Sequence, residues 1–190
     1  MDPAEGDQST MDRHAAGESS ERGQALGGEF ELLKETFARR ASAVAVVTTR
    51  TDAGLYGITV TAFCPVSTAP PLVLVSIDSL TRGADLLAAS GCYGVTLLGA
   101  RQGFLADRFA GRAPLVNPRF DEAPYFTAAS GAPLLRGGVA WFDCRVVGIH
   151  EAGDHRLFVG AVEAAGRGDA AAALVYIDRR YHALPFEPEP

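Results

Sequence analysis

The stretch Gly57–Asp78, GITVTAFCPVSTAPPLVLVSID, decides how the chain folds. It reads as two strands joined by a turn at Pro70-Pro71, because proline fixes φ and withholds an N–H from a ladder. The second strand holds the apolar run Leu72–Ile77, the pattern of a strand covered on both faces. The first carries Thr59, Thr61, Cys64, Ser67 and Thr68 among its apolar residues. Small hydroxyl side chains beside so apolar a neighbour raise the question of what that strand faces.

Outward from this stretch, most segments read as strands with short helices between them. Leu26, Phe30, Leu33 and Phe37 recur at helical spacing and predict an amphipathic helix over 26–41. AVAVVTTR (43–50) is β-branched and strand-like, and TDAG after it is a turn. TRGADLLAAS (81–90) and RQGFLADRFA (101–110) predict short helices, and CYGVTLL (92–98) a strand between them. Residues 111–138 hold several Pro and Gly and predict a long irregular connection. GVAWFDCRVVGIH, the turn EAGD and HRLFVGAVEAAG predict a long hairpin. ALVYIDRRYHAL predicts one final strand. The expected fold is mainly β with short helices (α+β), a barrel rather than a doubly wound sheet. Residues 1–25 are polar and Gly/Ser-rich and are expected to be a disordered tail containing His14. Residues 26–185 are expected to form one domain, and 186–190, rich in Pro, a C-terminal tail.

The 190 residues are enough for one domain with a real core. A net charge of −6 disfavours a nucleic-acid partner, which needs a basic surface. With no run of about 18 apolar residues, no membrane span is expected. The N-terminus lacks the pattern of a signal peptide, so a cytoplasmic protein is expected. Cys64, Cys92 and Cys144 lie far apart without a C-x-x-C and read as small buried hydrophobes of a reducing compartment. There is no Walker loop, no strand-borne G-x-G-x-x-G and no G-x-S-x-G elbow. His150 and His155 flank the hairpin turn but lack a third ligand at recognisable spacing, so no metal is expected. In SIDSLTRGADLL, Thr81 reads as a helix cap. Ser76, Ser79 and Thr81 with the Arg82 charge at a helix N-terminus also form a candidate phosphate cradle. In AGDHRLFVG, Gly153-Asp154 reads as a turn, with His155 opening the next strand.

Five segments in order, RRASAVAVVTTR, GITVTAFCPVSTAPPLVLVSID, LADRFAG, AGDHRLFVGAV and YIDRRYHAL, resemble the short-chain flavin reductases, whose fold is the flavin-binding split β-barrel. The resemblance runs from about Phe37 to Leu184. It implies that Thr59, Val60, Thr61 and Ala62 line the isoalloxazine edge, where small side chains let the backbone approach a flat ring. Ser67, Ser76, Ile77, Asp78, Ser79, Thr81 and Arg82 would then follow the ribityl chain to the phosphate. Phe109, Ala110 and Gly111 would come from the second helix region. His155 would contact the nicotinamide, with Tyr181 shaping the stack. Pro65 and Thr96 depart from the family pattern, which often has Ser and Asn there. The implied activity is NADH-dependent reduction of FAD or FMN by hydride transfer to flavin N5. Its implied setting is a homodimer supplying diffusible reduced flavin to a partner monooxygenase. Two other readings stay open: a flavin-binding carrier or sensor without reductase activity, and a split-barrel flavin oxidase acting on an amine. Flavin-dependent loss of NADH absorbance separates the three.

Overall fold

The computed structural model describes residues 27–52, 54–112, 120 and 123–187. The expected N-terminal tail, the helix start at Leu26, much of the 111–138 connection and the last three residues lie outside the described residues. Residues 1–40 and 41–190 are separate units. The first contains helix α1 (Gly27–Ala38), with Lys34 Nζ paired to Glu31 at 3.0 Å and the Thr36 hydroxyl donating to Leu32 O.

In the second unit, a seven-stranded antiparallel sheet forms the barrel, in the order β3 (Gly54–Val60), β2 (Ala45–Thr51), β6 (Cys92–Leu97), β9 (Ala140–Ala152), β10 (His155–Arg167), β5 (Pro71–Asp78) and β4 (Phe63–Thr68). A three-stranded sheet pairs β1 (Ser42–Ala43), β11 (Ala172–Ile177) and β12 (Arg180–Pro185). The hairpin β7 (Tyr125–Thr127) and β8 (Pro133–Leu135) lies within the connection expected to be irregular. Helices α2 (Arg82–Ser90) and α3 (Gly103–Phe109) fall where the sequence predicts them, α3 preceded by a 3₁₀ turn at Ala100–Gln102. The predicted long hairpin is β9–β10, thirteen residues a side, turning at Gly153 with φ 63°.

Along β2, side chains alternate between two cores, as strand pleating dictates. Ala45 and Val47 pack with Val75, Ile77, Tyr93, Val95 and Phe158 inside the barrel. Val46, with Val44 just before the strand, packs on the other side with Leu98, Ala106, Phe109, Phe120, Leu135 and Leu174. Each fully buried Val, Leu or Phe contributes about 1.5–3 kcal/mol. The strand covered on both faces is therefore β2, not β5. Val73, Val75 and Ile77 of β5 are buried, while Leu72, Leu74 and Ser76 on its other face are only partly covered. Val44 ties the sheets together: its N–H donates to Leu174 O at 3.1 Å, and its carbonyl accepts from Leu98 N–H at 2.9 Å.

Three further expectations are corrected. The opening stretch holds three strands, because the chain leaves the ladder at Thr61-Ala62 between β3 and β4. The final segment is a hairpin, not one strand, turning at Asp178 and Arg179, both with positive φ. Of the three cysteines only Cys144 is buried, and Cys64 is exposed.

Candidate functional site

The site is built where β3 gives way to β4. Pairing of β3 with β2 ends at Val60, and pairing of β4 with β5 starts at Phe63. Thr61 and Ala62 between them are held by one cross-link, the Ser76 N–H donating to Ala62 O at 3.0 Å. From Ser76 the strand runs on to Asp78, whose ladder partner is His155 at the start of β10. Cross-sheet pairing thus brings Ala62, Ser76, Asp78 and His155 along one path.

The turn after β5 is tightly fixed. Thr81 stands at the N-cap of α2, but its hydroxyl donates to Asp78 O at 2.7 Å and accepts no helix N–H. Asp78 Oδ1 accepts the Leu80 N–H at 2.8 Å, and Ser79 N–H donates to Asp154 O at 3.0 Å. Arg156 Nη2 bridges Ser79 O at 3.2 Å and Asp85 Oδ1 at 2.7 Å, clamping the turn and α2 onto β10. Tyr56 packs over Gly83 and takes its backbone N–H. Burial raises the Tyr56 phenol, opposed by the Arg82 charge. Beside the turn, His155 Nδ1 lies 2.6 Å from Asp154 Oδ1. That hydrogen bond and the charge of His155 hold the Asp154 carboxyl below its ordinary value. The imidazole keeps 41% of its side-chain surface exposed, enough to meet a ligand.

At the other end of the wall, the Thr59 hydroxyl donates to Ala106 O of α3 at 2.7 Å. The Tyr181 hydroxyl donates to Asp107 Oδ1 at 3.0 Å. Burial first, then this hydrogen bond, pushes the phenol up to about 12, so it stays a neutral donor. Tyr176 and Tyr181 are cross-strand partners with ring centroids 5.4 Å apart. The Arg112 guanidinium stands 5.9 Å from the Tyr176 ring centroid. A hydrogen bond to Tyr176 is the main cause raising its pKa. Val44, Thr59, Val60, Thr61, Ala110, Arg112, Tyr176 and Tyr181 enclose an open cavity of about 160 Å³.

The structure thus gathers Thr59, Val60, Thr61, Ala110 and Tyr181 at one end, and Ser76, Asp78, Ser79, Thr81, Arg82 and His155 at the other, with Ala62 between. Gly111 follows Ala110 with φ 69° and open space around its α-carbon. Ile77 and Phe109 are 1% and 3% exposed, main chain and side chain together, and belong to the two cores rather than to the open surface. Ser67 pairs with Leu72, four residues down β5 from Ser76, about 13 Å away at strand rise. His150 sits opposite Leu157 and over Gly148, and no group of three metal-binding side chains occurs among the described residues. Arg112 and Tyr176 were not singled out from the sequence; only the β11–β12 hairpin brings Tyr176 onto Tyr181. A larger cavity of about 470 Å³ lies among Thr96, Phe126, Arg136, Trp141 and Arg167, and contains none of the predicted site residues. The Thr96 hydroxyl there accepts the Leu135 N–H at 2.9 Å.

A flavin suits these residues. Apart from Arg112, the cavity side chains are aliphatic, hydroxyl or aromatic, a lining that suits a flat ring. Ser79 Oγ is buried without a hydrogen-bond partner among the described residues, at the end where a polar chain would run.

The family model for the flavin reductase like domain matches residues 37–185. An "FMN reductase (NADH) RutF 1" of Methylorubrum extorquens is 38% identical over 169 residues, spanning 89% of this chain and 83% of the relative. BorF, the flavin reductase component of a bacterial two-component tryptophan halogenase, superposes with a TM-score of 0.76 at 36% identity over 83% of this chain and 99% of its own. The styrene monooxygenase flavin reductase of Pseudomonas putida S12 does so with a TM-score of 0.71 at 34% identity over 82% and 98%. A strand wall that opens at Thr61-Ala62, a family match over most of the chain and relatives identical at more than a third of the aligned residues agree: this protein is a split-barrel member of the flavin reductase family.

Proposed function

We propose that the protein is an NADH-dependent flavin reductase that passes reduced FAD or FMN to a partner monooxygenase. The observation that carries this reading is the break at Thr61-Ala62, where backbone groups leave the ladder beside a cavity holding Tyr181 and continue past Ser76 to His155. A bound flavin supplies the hydride-accepting atom N5. The chain supplies placement. Thr59–Ala62 hold the ring edge through backbone groups, and Ser76, Asp78, Ser79, Thr81 and Arg82 hold the ribityl phosphate. Ala110 and Gly111 contribute backbone to the same surface, Ile77 and Phe109 support it from the core beneath, and Ser67 stands at its distal end. His155, oriented by Asp154, meets the nicotinamide, and Tyr181 closes the ring end as a neutral donor. No side chain has to give or take a proton in such a step; alignment alone lowers the barrier.

NADH as donor and delivery to an oxygenase are supported by the relatives, named as an FMN reductase (NADH), as the flavin reductase component of a two-component tryptophan halogenase and as a styrene monooxygenase flavin reductase. A homodimer in the cytoplasm is part of the same reading. The 160 Å³ cavity is smaller than the roughly 300–1,000 Å³ of complete ligand pockets, as for half of a shared site. No helix among the described residues is long and apolar enough to cross a membrane. The test is NADH oxidation followed at the nicotinamide band with FAD, with FMN and with no flavin. Flavin-dependent loss is expected; flavin binding without turnover, under NADH or NADPH, refutes the activity.

A further inference from the structure

We infer that the cavity between the β7–β8 hairpin and the open end of β9–β10 is a second binding site, for a small, flat aromatic anion. The inference stands apart from the flavin reading and uses none of the residues assigned there. At about 470 Å³ the cavity falls within the roughly 300–1,000 Å³ of ligand pockets. Its walls are aromatic: the Phe126 and Trp141 rings meet edge to face, with centroids 5.3 Å apart at 85°. Trp141 packs against backbone, since a β-carbon on Gly166 would come within 2.5–2.8 Å of its indole. The Arg136 guanidinium lies 5.2 Å from the Phe126 centroid. Its backbone is pinned, the N–H donating to Pro124 O and the carbonyl accepting from Gln102 Nε2, both at 2.8 Å.

The polar groups of the cavity are set for an anion. Arg136 and Arg167 line it against one carboxylate, Asp169, in a chain of net charge −6. None of the three has an ion-pair partner among the described residues. Thr96 is 1% exposed; its hydroxyl oxygen accepts the Leu135 N–H, and no acceptor for its own proton occurs among the described residues. Two guanidiniums and a hydroxyl thus offer donors to a carboxylate or phosphate, beside rings that offer apolar contact to a flat ligand. Both guanidiniums are exposed, so screening keeps the charge effect modest. The site is separate from the flavin cavity. Thr59, Val46, Thr96 and Trp141 form one row across β3, β2, β6 and β9, with Val46 fully buried within it. Three ladder steps, about 14 Å, part Thr59 from Trp141. His155 is at the opposite end of β10 from Arg167, about 40 Å of strand away. The occupant is therefore a molecule of its own, not the far half of a nicotinamide dinucleotide seated at His155.

Trp141 is the single tryptophan of the chain, so its fluorescence reports on this cavity. The experiment titrates the native protein, Arg136→Gln and Arg167→Gln with benzoate and with adenosine monophosphate, and with the neutral counterparts benzyl alcohol and adenosine. Tryptophan emission is followed, and calorimetry gives the dissociation constants independently. At least one anion is expected to bind about tenfold tighter than its neutral counterpart, and each arginine substitution to weaken it about fivefold. Tighter benzoate identifies a carboxylate ligand, and tighter adenosine monophosphate a nucleotide. Excess FMN should leave the calorimetric constant of the anion unchanged; displacement by FMN would make the cavity part of the flavin site and overturn the inference. Neutral counterparts binding as tightly as the anions would also overturn it, as would failure of both anions to bind or binding that ignores both substitutions. Should the variants fail to fold, the native comparison of anion with neutral counterpart decides. Anion binding by a protein that neither binds nor reduces flavin would reject the proposed function and leave this site standing.

Discussion

His155 is the half-exposed imidazole of the site. Its ring is tethered at Nδ1 by Asp154 and exposed elsewhere. In the proposed function the pair would fix which face of the imidazole meets a stacked nicotinamide, the logic by which a partner at one ring nitrogen sets the other. His155→Ala is expected to raise the Michaelis constant for NADH about fivefold, the equivalent of roughly 1 kcal/mol, with flavin affinity retained. Asp154→Asn should give a smaller rise, since it loosens the ring without removing it. Unchanged steady-state constants in His155→Ala would take the residue out of the site. The thiols make a second prediction at this scale. Burial, reinforced by the charges of Asp143 and Glu163, pushes Cys144 up to about 12 from an ordinary value near 9. A raised thiol pKa adds stability that is fully present below about 9 and is lost as pH climbs toward 12. At pH 8 Cys144 should resist a thiol reagent until the protein is unfolded, while exposed Cys64 reacts at once. A rapidly labelled Cys144, identified by peptide mapping, would show that its strand opens readily.

The elements owe their placement to close approaches that a sequence states only faintly. Gly94 of β6 is one: a β-carbon there would sit 2.6 Å from Pro133 O and 2.7 Å from Thr48 Oγ1. Neither neighbour yields easily, since one is backbone and the other hydrogen-bonds to Pro133 O and Gly94 O. Gly94→Ala should cost about 1–3 kcal/mol and lower the melting temperature by about 2–4 °C for each. A variant melting with the native protein would mean that β8 moves aside freely. The same faintness explains which elements could be read beforehand. The β9–β10 hairpin was legible because Gly153 marks its turn between two β-rich runs. The β11–β12 hairpin was not, because its turn uses Asp178 and Arg179 at positive φ, without the glycine that usually signals it. The break at Thr61-Ala62 was hidden because Phe63–Thr68 continues a strand-like composition, and only the ladder shows that pairing stops. Most proposed site residues were nameable from motif order, yet Arg112 was not, since it follows α3 in a Gly- and Pro-rich run where spacing carries no message.

Over the whole molecule, one face of the barrel is apolar without being core. Leu74 of β5 lies between Cys64 and Val159 in the ladder, and Leu72 beside Ala161; strand alternation puts them opposite the buried Val73 and Val75. Leu72, Leu74, Leu157, Val159 and Ala161 are each only partly covered, and Val66 of the edge strand is 53% exposed. A contiguous apolar sheet face bordering Ser76 and a half-enclosed cavity fit one arrangement, in which a second copy covers the face and completes the site. Leu74→Glu places a charge at the centre of that face, where burial without a partner is costly. Sedimentation velocity is then expected to show a dimer for the native protein and a monomer for the variant, with the far-ultraviolet circular dichroism unchanged because Leu74 lies outside both buried cores. Flavin affinity should fall by more than about tenfold, since each chain keeps only its own portion of the site. A folded Leu74→Glu protein that still dimerises would move the interface to another face. A monomer binding flavin as tightly as the native protein would show that one chain holds the whole site, and that the exposed apolar face serves a different contact.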